Sequence, residues 1–79
     1  MSPRVLPAVS GRRTVRALEK AGFVVDRIKG SHHILLHPGR AKSAVSVPVH
    51  GNRELPRGTL SGIMEQAGLS IDEFIQLLR

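Results

Sequence analysis

The apolar positions of this 79-residue chain change period twice. After Ser10, Val15, Leu18 and Ala21 recur at helical spacing, with Ala17 at the edge of their arc. Ser10 is of the type that caps a helix start, and Gly22 of the type that follows a helix end. The pattern therefore predicts a helix over Gly11 to Ala21. Phe23 to Lys29 is rich in residues suited to a pleated surface and predicts a first strand. Gly30 serves a turn into a second strand, Ser31 to His37. Pro38 to Lys42 reads as a hairpin loop, and Ala44 to Val49 as a third strand. Val45, Val47 and Val49 share one face of that strand, Ser46 and Pro48 the other. Proline cannot donate to a ladder, so this strand lies at an edge or ends there.

Helical spacing returns after a polar loop, His50 to Gly58. Leu60, Ile63, Met64 and Ala67 mark one buried helix face, and Gly68 stops that helix. Ser70-Ile71-Asp72-Glu73 has the form of a capping box. It opens a short last helix that buries Ile71, Phe74, Ile75 and Leu78. Helix, three strands and two helices give an α+β fold: a three-stranded antiparallel sheet covered on one face by helices. The length allows one domain, 1–79, with a small core. The absence of Cys excludes disulfides and Cys-based zinc sites. No apolar run approaches the roughly 20 residues that span a bilayer. The start, Met1 to Pro7, is too short and too proline-rich for a secretory signal. The expected setting is the cytoplasm, with no membrane partner.

Charge sharpens the picture. Residues 1–53 hold ten Lys/Arg and two Asp/Glu, a net of +8, whereas residues 54–79 have a net of −2. A basic half joined to a mildly acidic one predicts a face for a polyanion. Within the first helix Arg12, Arg13, Arg16 and Lys20 fall in one arc of about 100°, opposite the apolar side. These four, with Arg27 and Lys29, are the candidate contacts to RNA phosphates.

The chemistry concentrates at Gly30-Ser31-His32-His33. Histidine takes and gives a proton near neutral pH. An imidazole in a field that attracts phosphate suits metal-independent RNA cleavage, in which the 2′-hydroxyl loses a proton and the leaving oxygen gains one. Strict alternation groups His32 with Ile34 and Leu36, and His33 with Ser31, Leu35 and His37. Both faces are mixed, so alternation does not say which imidazole faces a substrate; a bulge would free His32 from the count. No metal or other cofactor is expected. His32-His33 lacks the i, i+4 spacing of helical zinc ligands, and no carboxylate lies close by in sequence. His37 beside Pro38 reads as a loop residue, and His50 as an exposed strand-end residue able to touch substrate.

Several stretches together resemble the HicA family, small toxin mRNA interferases of HicAB toxin–antitoxin systems. They are Leu6 to Gly11, Ala17 to Phe23, Lys29 to His33, Val47 to His50, Glu54-Leu55, Gly58 to Leu60 and Gln66 to Ser70. They occur in order and at family-like spacing, from near the start of the chain to near its end; residues 1–9 are read as an N-terminal extension of the single domain. The resemblance implies a double-stranded-RNA-binding-like fold and ribosome-independent cleavage of mRNA. It also implies a HicB-like antitoxin as protein partner. It places the catalytic histidine after Gly-Ser, at His32; His33, Ser31 and Gly30 are second candidates for catalysis or substrate contact. Two other readings stand beside this one. One is a non-catalytic double-stranded-RNA-binding module of the same fold. The other is a helix-turn-helix DNA binder using the last two helices, although Ile71 to Leu78 carries Asp72 and Glu73 and no Lys or Arg.

Overall fold

In the computed structural model, which describes residues 5–79 and only the backbone of residues 40–43, Ser10 starts the first helix. Its hydroxyl accepts from the Arg13 N–H at 3.2 Å, and α1 runs Gly11–Lys20. The first four residues of the N-terminal extension lie outside the described residues. Thr14 is fully buried and donates its hydroxyl to the Ser10 carbonyl at 2.9 Å. Three strands follow, β1 (Val24–Lys29), β2 (His32–His37) and β3 (Arg40–Pro48). They form one antiparallel sheet of order β1-β2-β3. The β2–β3 hairpin is tighter than the sequence suggests. His37 pairs with Arg40, so Pro38 and Gly39 alone make the turn. β3 is an edge strand, where a proline is tolerated, and its last residue is Pro48.

Two helices complete the chain, α2 (Arg57–Ala67) and α3 (Ile71–Leu77). α2 starts three residues before its first buried apolar position because Pro56, at the N-cap, ends the loop and offers its carbonyl to Leu60 N–H at 3.0 Å. Gly68 ends this helix. The capping box forms in both directions: Ser70 Oγ accepts from Glu73 N–H at 3.1 Å, and Glu73 Oε1 accepts from Ser70 N–H at 2.9 Å.

All helices lie on one side of the sheet. Val15 and Leu18 of α1 and Ile63 and Ala67 of α2 pack on Phe23, Leu35, Val45 and Val47. A second cluster beyond them joins Val9, Ala17, Leu60, Met64 and Phe74. Val9 therefore belongs to the core, and its carbonyl accepts from Leu55 N–H at 2.9 Å. Ala17, at the edge of the apolar arc in sequence, is buried because α3 closes over that side of α1. Of the four apolar residues expected to be buried in α3, Phe74 is fully so; Ile71, Ile75 and Leu78 are half-buried. Among the described residues no helix is long and apolar enough to cross a membrane.

Candidate functional site

The other side of the sheet is bare among the described residues. Its pattern follows from the register. Leu35 and its partners Val25 and Val45 face the helices, so the alternate positions Ile34, Leu36 and His32 face outward. Val24 stands opposite Leu36 on this outer face, and the two are 55% and 38% exposed.

A bulge in β1 decides what else is there. The register slips between Val25 and Arg27, leaving Asp26 as the extra residue. Without that slip, alternation from Val25 would turn Arg27 and Lys29 toward the helices. With it, Arg27 pairs with Ile34 and Lys29 with His32. The outer face thus carries an exposed imidazole, a lysine directly across from it and an arginine one step along the strand.

His32 stands at the first position of β2, where the sheet ends. Gly30 makes the preceding turn with φ +60°, and a Cβ there would meet no atom within 4 Å. Glycine is needed for the backbone turn rather than for space. Ser31 contributes through its backbone: its carbonyl accepts from Val49 N–H at 2.7 Å, joining β2 to the end of β3. Pro48, the cross-strand partner of His32, is in turn clamped from the other layer. A Cβ on Gly11 would overlap the Pro48 carbonyl oxygen, so only glycine lets the start of α1 approach this closely. The α1 start, the end of β3 and the Gly30 turn therefore meet at one end of the sheet.

The remaining histidines separate clearly. His33 is half-buried on the helix side between Ile28 and Val47, and its Nδ1 is buried without a hydrogen-bond partner. His37 is the last residue of β2, not a loop residue. Ala21 O lies 3.2 Å from its Nε2, and Gly39 N–H donates to its Nδ1 at 3.0 Å. A carbonyl only accepts, so Nε2 carries the proton and Nδ1 is the acceptor. The ring also stands edge-on to Phe23, with centroids 5.0 Å apart. Both nitrogens of His37 are thus committed to the fold. His50 is exposed and lines a cleft of about 250 Å³ with Pro48, Arg53, Glu54 and Thr59.

The six basic residues expected to hold phosphate fall into two groups. Arg27 and Lys29 share the outer face with His32. Arg12, Arg13, Arg16 and Lys20 are exposed on the side of α1 turned away from the sheet, since Val15 and Leu18 occupy the side that meets it. Arg13, Arg16 and Lys20 line a cleft with Leu77 and Leu78 at the end of α3. Lys20 is already engaged there, donating from Nζ to the Arg79 carbonyl at 2.6 Å. The α2-turn-α3 pair folds as a helical hairpin, but α3 turns Phe74 into the core and carries Asp72 and Glu73 in its first turn. Its surface does not suit a DNA groove.

Comparison with known proteins agrees with this architecture. The curated proteins give no match. The family model described as the HicA toxin of bacterial toxin–antitoxin systems matches residues 11–69, from the first residue of α1 to the turn after α2. That span holds the whole sheet and the His32 end of it, and the chain belongs to the HicA toxin family.

Proposed function

We propose that this chain is the toxin's working part as a metal-independent, ribosome-independent endoribonuclease that cleaves mRNA, with His32 as an acid–base residue. As a toxin of a toxin–antitoxin system it has an antitoxin partner, and we infer that this partner is a HicB-like protein that covers the site. The observation that carries the proposal is the placement of His32: exposed, at the end of an uncovered sheet face, directly across from Lys29. A flexible cation beside an imidazole suits a reaction at a phosphodiester. Lys29 neutralises non-bridging oxygens while His32 moves a proton. The 2′-hydroxyl gives up its proton, its oxygen bonds to phosphorus, the bond to the 5′-oxygen breaks, and that oxygen is protonated. The products are a 2′,3′-cyclic phosphate and a 5′-hydroxyl.

The test is incubation of the purified chain with end-labelled RNA, free of ribosomes, with and without EDTA, beside His32→Ala. The expected result is cleavage to cyclic-phosphate ends, unchanged by EDTA and lost in the variant. A fully active His32→Ala, or a reaction stopped by EDTA, refutes it. A wild-type chain that binds RNA and leaves it whole is the non-catalytic module instead.

A further inference from the structure

A cleavage of this kind needs two proton transfers, and His32 is one group. We propose that His50 is the second proton-transfer residue, acting on the same phosphodiester from the neighbouring chain segment. This rests on the function proposed above.

The sheet register brings the two together. His32 pairs with Pro48, and the Val49 N–H to Ser31 carbonyl bond carries the β2–β3 ladder one residue further in the same register. His50 is the next position. Alternation returns it to the side of Pro48. His50 is thus the diagonal neighbour of His32 across the ladder, and such neighbours stand about 7–8 Å apart. That is the spacing of the backbone positions; an imidazole transfers a proton to an oxygen about 2.6–3.2 Å from its nitrogen, so two side chains from these positions can reach the two oxygens of one phosphodiester.

The local backbone holds His50 in place. Its carbonyl accepts from Arg53 N–H at 3.0 Å, and Gly51 at φ +58° closes the turn. The ring itself is exposed, and among the described residues it makes no hydrogen bond that would spend it on the fold. The other two histidines are on the wrong side: His33 and His37 both face the helices. The charged groups around the pair are Lys29 beside His32, and Arg53 and Glu54 in the cleft with His50. With one imidazole neutral and one protonated, the first takes the 2′-hydroxyl proton and the second gives its proton to the departing 5′-oxygen. The pair ends the step with its protonation exchanged.

The experiment compares wild type, His50→Ala and His50→Gln on the same labelled RNA across pH, with thermal unfolding of each. Wild type should show a bell-shaped kcat/KM profile. Both variants should unfold as wild type does, lose about 10²–10⁴-fold in kcat/KM, and keep only one limb of the bell. If the alkaline limb is the one lost, an RNA with a 5′-thio leaving group, which departs without a proton, should restore the rate; if the acidic limb is lost, it should not. A loss of less than tenfold overturns the proposal. So does a reduced rate with both limbs intact, which marks a phosphate contact, or full activity in His50→Gln, which marks a hydrogen bond without proton transfer. A wild type that does not cleave, or an active His32→Ala, instead refutes the function on which it rests.

Discussion

His32 and His37 are the two ends of one strand and share a residue type, yet they stand on opposite faces and have opposite fates. His37 has an odd position on the helix side; the Ala21 carbonyl, the Gly39 N–H and the Phe23 ring leave it nothing to offer a substrate. His32 has an even position on the bare side, with Lys29 across from it. The difference teaches that a histidine's chemistry here is set by which face of the ribbon is covered, not by its company in sequence. His33, the nearest neighbour of His32 in the chain, is on the wrong face for a substrate that approaches the outer side.

The sharpest way to break this contrast is to remove each imidazole in turn. His32→Ala should lower RNA cleavage by about 10²–10⁴-fold and leave the thermal midpoint within a degree or two of wild type. His37→Ala should do the reverse in kind. The loss of a half-buried ring and two hydrogen bonds should lower unfolding stability by about 1–3 kcal/mol in a denaturant titration, while residual activity tracks the folded fraction. Equal stability losses in the two variants would erase the distinction.

The same contrast can be read one residue apart. Leu35 is fully buried and Leu36 is 38% exposed on the outer face. Leu35→Ala should cost about 2–5 kcal/mol, and Leu36→Ala no more than about 0.5–1 kcal/mol, by the same titration. A large cost at Leu36 would mean that the outer face is covered.

The smallest effect expected concerns the two basic groups. Lys29→Ala should reduce cleavage of short and long RNAs alike, because Lys29 stands directly across from His32. Arg12→Ala with Arg16→Ala should leave a short RNA unaffected and weaken a long one. The salt dependence of long-RNA binding should flatten by about one unit of slope per lost phosphate contact. A short RNA that loses affinity equally in both variants would join the two groups into a single track. The separation also bears on the antitoxin, because α1's outer side and His32 belong to different layers of the fold. Charge reversal at Arg12 and Arg16 with undiminished inhibition would place the inhibitor on the sheet face alone.

Much of this fold is legible in the sequence. The α1 cap at Ser10, the buried stripe of α2, the capping box at Ser70 and the order of elements all follow from local chemistry, and each stands as read. What failed locally failed for identifiable reasons. The hairpin loop shrank because Pro38 and Gly39 suffice for the turn, and Arg40 could then join the ladder. His37 looked like a loop residue because its partners, Ala21 and Phe23, are distant in sequence.

The site divides in the same way. The chain by itself determined the even–odd grouping of His32, Ile34 and Leu36, the cationic arc of α1 and the family, because alternation, helical period and motif spacing are short-range properties. It could not say which face of β2 is open, since both faces mix polar and apolar residues. The tertiary structure decided that by laying α1 and α2 on Leu35, Val45 and Val47. No bulge in β2 was needed to present His32. The bulge fell in β1 instead, at Asp26, and it turned Arg27 and Lys29 to the same side as the imidazole. Strand pairing is a non-local choice, settled by which apolar face the helices bury, so only the assembled sheet could bring Lys29 and His32 together.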